Sequence, residues 1–272
     1  SSQPNMPPPP AAPSVANPRK RSSSASPQGP SARSEKLART QTVPASLGEF
    51  VQRDVELLQR LGWTKFVKLR RGKGDFASLD NVHHKAQRLL KEYKYRGAPA
   101  KLSTPPWTRQ RLNEAIKRGP HKSCMEYIDF LSEEFVEFIQ KGQWIVLPAS
   151  IGRELPGVRA SPPGVIPQRG RRPRWIGDYT FYDVNKETLP LAAMEAMQFG
   201  HALDRILREI LLANPSLGPV LMAKWDLKDG FYRVDLNIDD IPKLGLVFPS
   251  QPGEEPLMAF PLVLPMGWKN SP

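Results

Sequence analysis

The order of apolar and polar positions divides this chain into three stretches. Residues 1–45 carry almost no large apolar side chains and are rich in Pro, Ser and Ala. Such a stretch cannot bury enough surface to offset its ordering entropy, which predicts a disordered basic tail. At Ser46 the pattern turns helical. Ser46-Leu-Gly-Glu49 is a capping-box sequence; Phe50, Val51, Val55, Leu58 and Leu61 then recur at helical spacing, and Gly62 supplies a stop. Residues 63–80, basic and glycine-containing, predict a loop or short strand. A second helix is expected over 79–95, ending at Gly97. A third opens at Pro105-Pro-Trp107 and stops at Gly119-Pro120. A fourth covers 123–141, where Tyr127, Ile128, Leu131, Phe135, Phe138 and Ile139 make an apolar stripe that Gly142 ends.

Beyond Gly142 the texture changes. Residues 143–148 predict a strand, and 164–167 and 174–178 two more, joined by the turn Gln168-Arg-Gly-Arg-Arg-Pro173. A long helix is expected over 191–214, with Met194, Met197, Leu203, Ile206, Leu207 and Ile210 facing inward. A buried strand over 220–226, a short aromatic turn of helix and a hairpin with arms 244–248 and 257–262 complete the pattern. The fold class implied is α+β. Its parts are a tail (1–45), a basic helical region (46–122) and a mixed region (123–272).

Composition narrows the function classes. The 272 residues carry a net charge of +12, which favours an anionic partner, nucleic acid first. The excess is local: between residues 60 and 120, sixteen Lys and Arg face four Asp and Glu. That patch suits a phosphate backbone; it equally suits amphipathic helices with lysine-rich solvent faces. Cys124 is the single cysteine, so there is no intrachain disulfide and no zinc-finger spacing, and the four histidines form no metal-ligand grouping. No apolar run is long enough to span a bilayer, and the polar, proline-rich N-terminus is unlike a signal peptide. The expectation is an intracellular protein without a membrane partner. It is nuclear or cytoplasmic, and Pro18-Arg-Lys-Arg21 favours the nucleus; a solvated charge run is the plainer reading of that cluster.

Candidate chemistry concentrates near Asp226, an aspartate at the end of the apolar run Val220, Leu221, Met222, Ala223. A carboxylate there suits a hard cation such as magnesium. One aspartate is not a site, and an isolated Asp-x-x-Asp (Asp226, Asp229) is more often a helix cap or turn. The order of its neighbours changes that balance. Strand, Asp226, Asp229-Gly-Phe-Tyr232, hairpin and Leu264-Pro-Met-Gly-Trp-Lys-Asn-Ser-Pro272 together resemble the polymerase core of retroviral and long-terminal-repeat retrotransposon reverse transcriptases. Upstream, Gly164-Val-Ile-Pro-Gln-Arg-Gly-Arg-Arg-Pro-Arg-Trp-Ile-Gly-Asp-Tyr179 and Asn185-Lys-Glu-Thr188 are similar to the family's fingers hairpin and its Val-Asp-Tyr-Arg-x-Leu-Asn segment. Glu133-Glu134-Phe135 and Lys141-Gly142 resemble the helix preceding the fingers. The resemblance covers residues 123–272; residues 1–122 match nothing in it.

The resemblance implies reverse-transcriptase-like fingers and a partial palm over 123–272, within an RNA-directed DNA polymerase using Mg2+, a template-primer and deoxynucleotides. It makes Asp226 the catalytic metal ligand, with the backbone carbonyl of Leu227 beside it. Phe231 takes the place of the aromatic that excludes a ribose 2′-hydroxyl, with Asp229 and Gly230 next to the nucleotide. Arg174 matches the arginine that grips the triphosphate, and Arg169, Arg171 and Arg172 sit at the hairpin tip. Met266 stands where retroviral enzymes commonly carry glutamine, and Gly267 lets the backbone approach the ligand. The stretch Thr180-Phe-Tyr-Asp-Val184 is about two residues longer than the family's, and the arginine after Tyr179 is missing. The family's second metal-binding pair, Tyr/Phe-x-Asp-Asp, lies further downstream than Pro272. The expectation is therefore an N-terminal portion, inactive in primer extension by itself. Two other classes stay open: a non-enzymatic basic nucleic-acid-binding protein, whose binding falls steeply with salt, and a scaffold built on the helical region.

Overall fold

The computed structural model describes residues 46–72, 78–191, 202–223, 230–250 and 253–271. The expected tail, its basic cluster, the positions Met194 and Met197, and Asp226, Leu227 and Asp229 lie outside the described residues. The fold is α+β.

Local signals build the first helices. In α1 (Leu47–Leu61) the Ser46 hydroxyl accepts from the Glu49 amide while the Glu49 carboxylate accepts from the Ser46 amide, the reciprocal cap read from the sequence. Gly62, at φ 72, ends this helix and starts the next at once. Residues 63–80 are thus no simple loop, because α2 (Trp63–Arg71) occupies their first half. Trp63, Phe66, Val67 and Arg70 share one face, and Phe66 and Val67 are fully buried. The helix placed over 79–95 is shorter, α3 (Gln87–Arg96). Then come α4 (Arg109–Arg118), capped by the Thr108 hydroxyl, α5 (Lys122–Glu126) and α6 (Ile128–Gln140). The single helix expected over 123–141 breaks at Tyr127 into these last two.

The remaining elements are β1 (Trp144–Pro148), α7 (Ala149–Gly152), β2 (Ala160–Ser161), β3 (Pro163–Gln168), β4 (Arg171–Gly177), α8 (Val184–Glu187), α9 (Ala202–Leu212), β5 (Gly245–Phe248) and β6 (Leu257–Pro261). Two sheets form. The larger has the order β1-β6-β5-β2, antiparallel except for the parallel β2–β5 pair. The smaller is the β3–β4 hairpin, with a register irregularity between Ile166 and Gln168. Its turn is tighter than expected, Arg169-Gly170 rather than 168–173. The described part of the strand expected over 220–226 is absent. Residues 220–223 hold no regular structure, and Leu221 is 88 % exposed.

The core sits between the larger sheet and the helices. Phe135 of α6 is its aromatic hub, with ring centroids 4.7 Å from Phe248 and 5.3 Å from both Trp144 and Trp175. On its other side α2 clamps distant chain together. Trp63 donates to the Ile238 carbonyl, and the Arg71 guanidinium to the carbonyls of Leu236 and Leu262. Arg70 donates to the Ile139 carbonyl and lies 3.4 Å from the wholly buried Asp54. Burial raises the Asp54 pKa, against the lowering pull of Arg70 and Arg53.

Candidate functional site

Three devices fix the β3–β4 hairpin. The Ser123 hydroxyl accepts from the Val165 amide, and the His121 amide donates to the Pro163 carbonyl. The Cys124 thiol donates to the same carbonyl (3.1 Å); burial pushes its pKa up to about 12, so it serves as an anchor, not a nucleophile. Trp175 is buried against Phe135, Phe138 and Trp144, which roots the far strand in the core. From that root the hairpin presents its arginines. Arg169 is in the tip turn and Arg171 opens β4, both exposed. Arg172 pairs with Glu134 of α6 at 2.8 Å and lies over the Phe130 ring. Arg174 points its guanidinium at the Met266 sulfur, at 3.0 and 3.3 Å.

Met266 belongs to the turn 264–270, whose polar groups are nearly all spent on one neighbour, the segment 185–191. Asn185 donates to the Gly267 carbonyl (2.9 Å) and accepts from the Lys269 amide (2.8 Å). The Trp268 indole, 1 % exposed, donates to the Thr188 hydroxyl; Asn270 donates to the Leu189 carbonyl and accepts from the Leu191 amide. Gly267 has φ 94, and a β-carbon there would stand 2.3 Å from the Gly177 carbonyl oxygen. The close approach that demands glycine is therefore to the last residue of β4. The sequence reading had placed a ligand there.

Hairpin and turn close around a cleft of about 300 Å³, lined by Glu134, Phe138, Gln168, Pro173, Arg174, Trp175, Tyr232 and Met266. Arg174 and Met266, chosen from the sequence, touch each other on its wall. Gly230 opens a short 3-10 turn, Phe231–Arg233. Of its aromatics the buried Tyr232 lines the cleft and packs on Phe138, while the half-buried Phe231 stands behind it, ring to ring at 5.3 Å. The resemblance gives the ligand-facing role to Phe231 and none to Tyr232. Sequence reasoning also missed Glu134. Two adjacent glutamates open that stretch of α6, and only the fold shows that the second turns inward. Burial raises the Glu134 pKa, and Arg172 pulls it back down.

The segment 178–185 turns at 180–183 between the buried Tyr179 and Val184. Asp178 caps it by accepting from the Thr180 and Phe181 amides, and Tyr179 is buried with its hydroxyl on the Leu244 carbonyl. Asp226, Leu227 and Asp229 lie outside the described residues. Among the described residues no three His, Cys, Asp or Glu side chains group as a metal site, and no helix is long and apolar enough to cross a membrane. Compared with known protein families and with curated proteins, the chain matches none.

Proposed function

We propose that residues 123–272 form the fingers and first palm segment of an RNA-directed DNA polymerase of the retroelement type, binding a deoxynucleoside triphosphate in the cleft between hairpin and turn. One observation carries the reading. Arg174 and Met266, 92 residues apart and each singled out by its own motif, come into contact in the lining of one cleft.

The chemistry is consistent with a triphosphate. A thioether is a weak acceptor, so it leaves the Arg174 charge available. Phosphate oxygens take a guanidinium fork bidentately and much more strongly. Arg169 and Arg171, exposed at the tip, add cations over the same opening. The Glu134 carboxylate on the cleft wall would repel phosphate, and its pairing with Arg172 offsets that charge. Tyr232 and Met266 offer bulk toward a sugar. In this reading Asp226 and the Leu227 carbonyl hold magnesium, which supplies charge neutralisation for nucleotidyl transfer to a primer. The partners are a nucleic-acid template-primer and deoxynucleotides, inside the cell, in nucleus or cytoplasm.

Titration of the full chain with a fluorescent deoxynucleoside triphosphate in magnesium buffer tests this. Arg174→Ala should weaken binding about ten-fold or more, and Arg174→Lys should restore part of it. Equal affinity for wild type and Arg174→Ala would remove the cleft from consideration.

A further inference from the structure

The loop that departs from the polymerase pattern has a surface of its own. The Asp183 amide donates to the Thr180 carbonyl (3.0 Å), closing a turn with Phe181 and Tyr182 at its corners. Asp183 itself takes φ 63, the sole non-glycine in the left-handed region among the described residues. The turn holds Phe181 out, 47 % exposed. A phenyl ring at the corner of a polar turn adds little to a core, and its neighbours are not those of a core.

Arg118 of α4 lies 4.2 Å from the Phe181 ring centroid, and His121 and Tyr182 meet that ring edge-on at 5.3 and 4.7 Å. Tyr182 meets Trp107 edge-on at 5.6 Å. Arg111 covers Trp107 at 4.2 Å and donates to the Tyr182 carbonyl. Three aromatic rings thus run in contact along one strip, Phe181, Tyr182 and Trp107, with a guanidinium over the ring at each end. Exposed Lys117, Lys122 and Lys186 sit on the helices that carry it. The nearest carboxylates are mostly spent. Asp178 accepts from two turn amides and lies 3.0 Å from His121 Nε2; Glu187 accepts from Arg159 and Thr104 and lies 4.0 Å from the Arg111 guanidinium, whose charge it shares with Arg159. Asp183 and Glu114 remain exposed.

We propose that this strip binds single-stranded nucleic acid, with unpaired bases stacking on Phe181 and its neighbours and Arg118 and Arg111 meeting phosphates. Base stacking on protruding rings, with cations beside them, tolerates sequence and excludes a duplex, whose bases are already stacked on each other. The strip shares no residue with the nucleotide cleft, so it stands independently of the polymerase reading.

Fluorescence anisotropy of the full chain with labelled twelve-nucleotide RNA, the same DNA strand, and its duplex provides the test. Both single strands should bind more tightly than the duplex, and their ratio identifies which sugar the surface prefers. Phe181→Ala should weaken single-strand binding about ten-fold. Arg118→Gln should weaken it and lower the slope of log affinity against log salt by about one. Phe181→Leu keeps apolar bulk at the turn while removing the ring, and carries the same expected loss should the alanine variant fold poorly. Unaltered binding in both Phe181 variants, or a duplex bound as tightly as the single strands, would overturn the proposal.

Discussion

The turn 264–270 is expected from its motif and the stretch 202–223 from its apolar pattern, and the structure treats the two in opposite ways. In the turn, Trp268 is buried and its neighbours bond to one partner segment. In α9 no residue is buried. Leu203, Ile206, Leu207 and Ile210 share a face at helical spacing, Leu211 beside them is 83 % exposed, and the apolar run at 220–223 is also in water. Periodicity reports that a face wants cover; it carries no information about what supplies it. The turn differs because its specification is steric and polar, with a glycine that only a passing backbone requires and amides at fixed spacing.

Substitutions should separate the two regions by the size of their effects. The largest is expected at Trp268→Ala, which empties a closed site and removes the donor to the Thr188 hydroxyl; about 4 kcal/mol of stability should be lost in a denaturant melt. Next comes the clamp that holds the opposite side of the core. Arg70→Met leaves Asp54 buried without its main partner, at a cost of about 3 kcal/mol near neutral pH. The pH dependence has a definite sign. Burial already raises the folded-state pKa of Asp54, and removing Arg70 takes away an opposing pull. The variant then gains stability as pH falls through that folded value, so its deficit shrinks between pH 7 and pH 4. A deficit that grew with acid would refute the assignment. Gly267→Ala should cost about 2 kcal/mol, because its β-carbon collides with the Gly177 carbonyl at a left-handed φ. Leu211→Ser on α9 should change stability by no more than about 0.5 kcal/mol. A loss comparable to that of Trp268→Ala would show α9 to be covered in solution and would erase the contrast.

What the sequence revealed was local. The Ser46–Glu49 cap, the glycine stops, β1 and the β5–β6 hairpin lie where the pattern placed them, because each is decided within a few residues. Helix α2 escaped notice since Gly62 serves two helices at once and the lysines and arginines after Trp63 hide a short apolar face. The strand β2 has two residues and no periodicity to read; its parallel pairing with β5 exists only through the fold. At the site, Arg174 and Met266 were legible from motif order. Tyr232 and Glu134 were not, since a choice between adjacent aromatics or adjacent glutamates turns on helix rotation. The strand that was to end at Asp226 is missing in its described part, so that aspartate's place rests on the resemblance alone.

The bonds from Arg71 carry a consequence for how this chain is made. Its two carbonyl acceptors lie 165 and 191 residues further on. At roughly 5–20 residues per second, a ribosome needs roughly 10–40 s to supply the later one. Helices α1 and α2 can pack on α6 and β1 as soon as those are made, but the Arg71 bonds must wait for Leu236 and Leu262. High separation between contacting residues slows folding and prolongs exposure of apolar surface. The Arg71 clamp is thus among the last contacts of this region to close, although its own helix is made long before its acceptors.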